Sequence, residues 1–152
     1  MKICAGASAG GHMNQLLRLL DHTVSWPSQP SFYVTTLDEL APRLAEKGPV
    51  YVVGECNRHY PLRALRTFGR CFKVAKRERP DVVVTTGSMP LALFCLISKF
   101  FGAQIVWIDS IANIERFSMS GRLVRRFADL FLTQWPDLAE KDEKAECVGA
   151  IL

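Results

Sequence analysis

The sequence predicts one α/β domain, a doubly wound parallel sheet with helices on both faces. Two patterns support this fold. Short β-branched runs alternate with stretches of helical apolar spacing, and glycine-containing turns follow two of the runs. The 152 residues, 49% of them hydrophobic and 22% charged, are enough to bury one core. The pattern is Rossmann-like, and in such folds ligands bind at the carboxyl ends of the strands.

The first third of the chain alternates between strands and helices. Residues 2–7 (KICAGA) form an apolar strand that runs into a glycine-rich turn. In the helix that follows, residues 12–22, the apolar side chains recur at the i, i+3, i+4, i+7 spacing of one helical face. Strands over residues 31–36 and 50–54 flank a short helix over 37–48, which has a proline near its start and a glycine at its end.

The longest predicted helix, residues 61–79, is expected to turn its apolar side to the core and its arginines to solvent. The residues expected to face the core are Leu62, Leu65, Phe68, Phe72 and Ala75. The basic cluster over 58–79 contains Glu78 as its single acid and the cations Arg58, Arg63, Arg66, Arg70, Lys73, Lys76, Arg77 and Arg79. Such a cluster indicates an anionic partner, which is a phosphate, an anionic lipid or a nucleic acid.

The second half begins with the valine-rich strand 81–86, which leads through a second glycine turn into an apolar helix over 87–102. The remaining predicted elements are the strand 104–109, the helix 120–130, the strand 130–134 and a last strand in the tail 145–152. Each strand is rich in β-branched or other apolar residues, as strands buried inside a parallel sheet require.

The helix over 91–101 is apolar on nearly every side, and two interpretations stay open. Either neighbouring elements bury it fully, or a second apolar face contacts a partner or a membrane whose anionic head groups meet the arginine-rich helix. The predicted membrane contacts are Arg63, Arg66, Arg70, Phe94, Phe100 and Phe101. Nucleic acid is not the expected partner, because few aromatic residues lie between the arginines.

The cysteines indicate a reducing compartment, and the hydropathy pattern predicts neither a signal peptide nor a membrane-spanning helix. Five cysteines are scattered without a C-x-x-C pair, and Cys4 and Cys95 lie in apolar runs as small core residues. The amino terminus turns glycine-rich too early for a signal peptide. The longest apolar run, residues 90–103, is shorter than the about 20 residues that span a bilayer.

The loop GASAGGH, residues 6–12, has the form of a phosphate-binding turn but fits neither common nucleotide fingerprint. A dinucleotide loop needs glycine where Ser8 stands, and a P-loop needs lysine at His12 and a hydroxyl at Met13. What remains is an anion-binding turn before a helix start, with Gly6, Ser8, Gly10 and Gly11 as candidate contacts. The alternative is a tight turn with no ligand.

The second glycine turn, TTGSMP at residues 85–90, repeats the arrangement of strand, glycine and helix. Gly87 and Ser88 are therefore candidates to cradle a diphosphate together with the first loop, although Ser88 could serve only as an N-cap. His12 at the first helix start is a candidate general base for a hydroxyl beside the phosphate. The alternative is that it only makes hydrogen bonds to the backbone or to a ligand.

A carboxylate follows the fifth predicted strand, where WIDS ends on Asp109 and Ser110. At the ligand edge of the sheet, Asp109 is a second candidate to position or deprotonate a sugar hydroxyl. Its alternative role is a helix cap.

Five segments resemble, in order, the acceptor-side subunit of split GT-B glycosyltransferases. They are GASAGGH, PDVVVTTGSMP, IVWIDSIANIERFSMSGRL, ADLFLTQWPDL and VGAIL. In this family the eukaryotic relative is the membrane-recruiting subunit of the dolichol-diphosphate-GlcNAc GlcNAc-transferase. Its bacterial relatives are small capsule and exopolysaccharide proteins that work with a second, donor-binding polypeptide.

The resemblance implies that residues 1–152 are a single domain equivalent to the N-terminal half of a GT-B enzyme. The glycine loops would face a polyprenyl-diphosphate-linked acceptor, and a donor-binding subunit would hold the UDP-sugar. The length of one such domain agrees with a split enzyme that is inactive alone. His12 is preferred to Asp109 as the base, and no metal or other cofactor is expected. Candidate residues at the acceptor or partner edge are Ser110, Ser118, Gly121, Gln134 and Trp135.

Asp109, where the family often has glutamate, and the absence of an N-terminal membrane helix favour a bacterial-type member. Such a protein is expected in the cytoplasm, peripheral on the inner face of the cytoplasmic membrane. Two other functions stay open from the residues alone. One is a stand-alone nucleotide- or metabolite-binding α/β module without catalysis, and the other is RNA binding through the basic cluster.

Overall fold

One parallel sheet organises the computed structural model, which describes residues 1–56 and 60–151. Within those ranges the strands are β1 (Ile3–Ala7), β2 (Pro30–Thr35), β3 (Val50–Val52), β4 (Val82–Thr85), β5 (Gln104–Ile108), β6 (Leu130–Thr133) and β7 (Ala145–Cys147). Their order across the sheet is β3-β2-β1-β4-β5-β6-β7, and every neighbouring pair is parallel. The chain thus proceeds outward from β1 to β3 and then from β4 to β7, which confirms the doubly wound fold.

One α-helix connects each strand to the next. The helices are α1 (Gly11–Asp21), α2 (Ala41–Ala45), α3 (Pro61–Glu78), α4 (Met89–Phe100), α5 (Met119–Val124) and α6 (Pro136–Glu140). The predicted helix over 37–48 is divided into a short 3₁₀ turn, Asp38–Leu40, and α2. Helix α6 has no counterpart among the predicted elements, and it begins on Pro136, a residue whose fixed φ suits a helix start.

The core on the α3–α4 side of the sheet contains the cysteines expected there. Cys4 and Cys95 are fully buried, as predicted, and so is Cys71 of α3. Burial raises the pKa of the Cys71 thiol to about 12 and raises the pKa values of Cys4 and Cys95 as well. These thiols are therefore neutral packing groups near neutral pH.

Helix α3 packs on a different face from the one predicted. Its buried residues are Thr67, Cys71, Val74 and Ala75, so of the predicted core residues only Ala75 is buried. Leu62 and Leu65 are 74% and 68% exposed, and Phe68 and Phe72 are exposed too. The physical reason is size, because small side chains allow the close approach of α3 to α4, where the Cys71 Sγ lies 3.8 Å from the carbonyl oxygen of Pro90.

Helix α4 is buried on most sides, and this corrects one predicted membrane contact. Phe94 is completely buried in the core, so it cannot reach a membrane in this fold. Phe100 is 84% exposed and its ring contacts Phe101, which in turn contacts Phe72 of α3. The ring contacts from Phe72 through half-buried Phe101 to Phe100 join the apolar side of α3 to the end of α4. We call the resulting surface the apolar face, made of Leu62, Leu65, Phe68, Phe72, Phe100 and Phe101.

Candidate functional site

The site lies where the sheet reverses its strand order, between β1 and β4. These neighbouring strands are parallel, so their carboxyl ends and the two glycine loops meet at one edge. Crevices at such a switch point are the usual ligand sites of doubly wound sheets. The loops 8–10 and 86–88 thus come together as the sequence predicts.

The first loop leaves the start of α1 open. Ser8 is half-buried and Gly10 and Gly11 are exposed, and Gly10 turns the chain with φ 74°. Neither a capping side chain nor an acid occupies the first turn of α1. Its unpaired N–H groups therefore carry partial positive charge at the edge of the sheet, which suits an anion.

Gly6 has a different role from the one predicted. It lies inside β1, paired with Val34 and Thr85 of the neighbouring strands. A Cβ atom there would lie 2.7 Å from Leu91 Cδ1 and 3.0 Å from the carbonyl oxygen of Val34. Packing under α4 therefore demands glycine at this position, which is buried inside the strand.

His12 is held by two reciprocal hydrogen bonds to Thr86. Its Nδ1 donates to the Thr86 carbonyl oxygen at 2.7 Å, and Thr86 Oγ1 donates to the His12 carbonyl oxygen at 2.7 Å. Because a carbonyl oxygen only accepts, the first bond requires the proton on Nδ1. In the neutral ring, Nε2 then keeps a free lone pair, and no described residue occupies it. This is the arrangement that a general base needs.

The second loop is strained around the His12 ring. A Cβ at Gly87 would lie 3.2 Å from His12 Cε1 and 3.4 Å from Trp107 Cζ2, so glycine lets the ring pack there. Ser88 has φ 115° and ψ 161°, a region nearly reserved for glycine that costs about 1–3 kcal/mol. It stands at the N-cap of α4, yet its hydroxyl makes no capping bond and is buried without a partner among the described residues.

A cavity of about 280 Å³ opens between the two loops and α3. Its polar lining consists of Ser8, Thr36, Glu55, Cys56, Arg63 and Ser88. Thr36 is 2% exposed, and its Oγ1, like the Ser88 hydroxyl, has no hydrogen-bond partner in the ranges 1–56 and 60–151. A lining with hydroxyl-bearing residues, an acid and an arginine suits a ligand that carries both phosphate and hydroxyl groups. The described residues contain no cluster of three metal-ligating side chains.

Asp109 is buried in the scaffold, so its predicted role toward a sugar hydroxyl does not hold. It is 2% exposed and accepts hydrogen bonds from the Ser118 N–H at 2.9 Å, the Ser118 hydroxyl at 2.6 Å and Trp107 Nε1 at 3.2 Å. The Ser118 hydroxyl also accepts from the Gly121 N–H at 2.8 Å and so caps α5. The carboxylate therefore fixes the start of α5 through Ser118. This role is similar to the helix cap that was the alternative interpretation of Asp109.

Comparison with known proteins identifies the family. A model of proteins described as "Oligosaccharide biosynthesis protein Alg14 like" matches residues 51–151, well over half of the chain. The chain belongs to the Alg14-like family. The human UDP-N-acetylglucosamine transferase subunit ALG14 is 26% identical over 180 residues, covering 100% of this chain and 83% of the human protein. The Schizosaccharomyces pombe subunit alg14 is 39% identical over 77 residues, a match that spans 37% of that protein and 47% of this chain.

Solved structures share the fold of this Alg14-like chain. MurG from Acinetobacter baumannii superposes with a TM-score of 0.73 at 15% identity, over 91% of this chain and 43% of MurG. Anabaena HepE in complex with UDP gives 0.67 at 16% identity, over 98% of this chain and 44% of HepE. The chain thus spans less than half the length of these proteins and has the fold of one half of a GT-B glycosyltransferase.

The predicted edge residues of the Alg14-like chain mostly support its scaffold. Gln134 is 3% exposed and donates to Gln15 Oε1 at 3.1 Å and to the Asp109 carbonyl oxygen at 3.0 Å, so it is not free to bind a ligand. Trp135 Nε1 donates to the Ile111 carbonyl oxygen at 2.7 Å. Gly121 is buried next to Asp109, and a Cβ atom there would lie 2.5 Å from the Asp109 carboxylate, so the packing requires glycine.

These contacts position the loop 110–117, which is the exposed part of this edge. Ser110 Oγ accepts from the Ala112 N–H at 3.3 Å at its start. Residues 112–116 line a second cavity of about 340 Å³. The hydrogen bonds of Ser118, Gln134 and Trp135 thus hold a surface loop in place.

Three lining residues of the central cavity in this Alg14-like chain had no predicted role: Thr36, Glu55 and Cys56. The available signal was their position, because they follow the carboxyl ends of β2, which neighbours β1, and of β3, which neighbours β2. Residues 57–59, including Arg58 of the basic cluster, lie outside the described residues.

Proposed function

We propose that this chain is the acceptor-binding, membrane-associating subunit of a two-subunit glycosyltransferase. It would present a polyprenyl-diphosphate-linked saccharide to a donor-binding subunit that carries a UDP-sugar. One observation carries this proposal: Ser8 and Ser88 of the two glycine loops share a cavity with Arg63, which lies on the helix that bears the apolar face. The family assignment and the relatives named as UDP-N-acetylglucosamine transferase subunits support it.

The chemistry assigned to this chain is acceptor binding and proton removal. The open start of α1, Arg63 and the hydroxyls of Ser8 and Ser88 favour a diphosphate. His12 Nε2 would take the proton of the attacking sugar hydroxyl as its oxygen bonds to C1 of the donor sugar. The bond from C1 to the UDP oxygen breaks in the same step, with inversion, and UDP leaves on the partner.

The apolar face is the proposed contact with an anionic membrane. Most of it lies on α3, whose exposed charged residues are cations: Arg63, Arg66, Arg70, Lys73, Lys76 and Arg77. No helix in the described ranges is both long and apolar enough to cross a bilayer. An apolar strip flanked by cations instead lies in the interface, where head groups meet the charges. We place it at the inner face of the cytoplasmic membrane.

The purified chain is expected to transfer no sugar alone, whereas addition of its donor-binding subunit restores transfer. Product would be followed with a panel of radiolabelled UDP-sugars and a short-chain polyprenyl-diphosphate-GlcNAc acceptor. Sustained transfer by the single chain would refute the two-subunit proposal. Tight UDP binding by the single chain without affinity for prenyl diphosphates would favour the stand-alone nucleotide-binding module.

Replacing both Leu62 and Leu65 with serine is expected to reduce sedimentation with anionic vesicles by about tenfold or more, because burying each leucine is worth roughly 1.5–3 kcal/mol. Both side chains are mostly exposed, so the free energy of unfolding should change little. Val24→Ser, at a 91% exposed site far along the chain, is the matched control. Equal vesicle binding by all three proteins would exclude this face as the membrane contact.

A further inference from the structure

Helix α3 has a third face besides its buried and apolar ones. Arg63, Arg66 and Arg70 recur at spacings of three and four residues and lie on one side of the helix. They line a pocket of about 190 Å³ together with Gly54, Glu55 and Thr67. Three arginine side chains thus line one pocket beside the end of β3, and the Arg63 guanidinium lies 4.7 Å from the centre of the Tyr60 ring.

The pocket wall is held in place by the backbone after β3. Gly54 adopts φ 89°, and a Cβ there would lie 3.2 Å from Thr67 Oγ1 and 3.5 Å from Arg70 Nη1. The Thr67 hydroxyl, on a residue that is 2% exposed, donates to the Glu55 carbonyl oxygen at 3.2 Å. Glycine therefore lets the chain approach the Arg70 guanidinium, and the threonine fixes that approach.

The charges of this pocket are not balanced within the described part of the chain. None of the three arginines forms an ion pair there, whereas Lys2, Lys99 and Arg125 each pair with a carboxylate. Glu55 supplies one negative charge against three positive ones. Like charges that line one pocket repel one another, and the planar N–H donors of a guanidinium group match the oxygens of a phosphate. The pocket thus favours a group with more than one negative charge.

We propose that Arg63, Arg66 and Arg70 form a phosphate-binding pocket that takes a phosphate group of the acceptor lipid. This inference rests on the proposed function. The pocket shares Glu55 and Arg63 with the central cavity, and its helix bears the apolar face. A ligand built as apolar chain, phosphate and sugar would meet the apolar face, the arginines and the glycine loops in that order. The same chemistry would also take a phosphate from a membrane lipid head group.

The test compares two double variants of the full chain with the same change in charge, R66Q/R70Q and K73Q/K76Q. The two lysines lie on the same helix and do not line the pocket. Binding of farnesyl diphosphate is measured by calorimetry, with farnesol as the uncharged probe. R66Q/R70Q is expected to weaken farnesyl diphosphate binding by about tenfold or more, as lost charge-assisted hydrogen bonds do, and K73Q/K76Q to leave it unchanged.

Sedimentation with phosphatidylcholine–phosphatidylglycerol vesicles distinguishes the two phosphate sources. We expect both variants to lose vesicle binding to the same extent, because an anionic membrane attracts the total surface charge of the helix and not one specific pocket. It is overturned if both pairs weaken farnesyl diphosphate binding equally, or if R66Q/R70Q affects vesicles alone. Farnesyl diphosphate binding that depends on the arginines could be found together with no sugar transfer in the two-subunit assay. That result would support the phosphate-binding pocket and refute the proposed function.

Discussion

Replacing His12 with asparagine is expected to lower the rate of sugar transfer by about 10²–10⁴-fold, the usual contribution of a general base. The asparagine Nδ2 can donate to the Thr86 carbonyl oxygen in place of the histidine Nδ1, which donates at 2.7 Å in the native protein. It places no atom at the position of Nε2, so the proton acceptor is lost while the anchoring bond is kept. Steady-state kinetics of the two-subunit enzyme measure the effect.

The pattern of kinetic constants separates a base from a structural residue. If His12 accepts the proton, kcat falls and KM for the lipid acceptor stays nearly constant. His22→Asn is the matched control, because His22 is exposed at the end of α1. A normal kcat for the His12→Asn protein would show that the base lies elsewhere, for example on the partner.

Replacing Asp109 with alanine is expected to lower the free energy of unfolding by about 3–5 kcal/mol. The substitution removes the acceptor of three hydrogen bonds and leaves the Trp107 Nε1–H and the Ser118 N–H without partners in the interior. For a chain of this size, that loss corresponds to a drop in Tm of about 10 °C. Thermal unfolding followed by circular dichroism provides the measurement.

Two further variants test whether the loss of stability arises from the hydrogen bonds at the start of α5. Gly121→Ala should also destabilise, because its Cβ would lie 2.5 Å from Asp109 Oδ1. Glu140→Ala, an exposed acid of α6, should leave Tm nearly unchanged. Native stability of the Asp109→Ala protein would contradict the structural role and reopen a role for this carboxylate at the ligand edge.

The regular features of the fold follow from local patterns in the sequence. Alternation of β-branched strands with helical spacing predicts the doubly wound sheet, and two glycine turns after buried strands predict the meeting of loops 8–10 and 86–88. These signals are local, because backbone preferences and burial of alternate segments act within a few residues. The same turns predict His12 at the start of a helix beside the second loop.

The choice among equivalent apolar or polar residues needed the tertiary structure. Helix α3 carries two apolar stripes, and the one with small residues, Cys71 and Ala75, packs closest to α4. Leu62 and its apolar neighbours are consequently left on the surface. Asp109 likewise could face a ligand or the scaffold, and the Ser118 donors nine residues later settle it.

The sequence by itself determines the parallel fold, the anion-binding turns and the basic helix, because each depends on residues close together in the chain. Only the tertiary structure decides that no described residue bonds to His12 Nε2, that Thr36 and Glu55 join the cavity, and that three arginines share a pocket. Those properties depend on contacts between distant segments, such as the bond of His12 to Thr86. Their geometry is set by packing across the sheet, which no local pattern specifies.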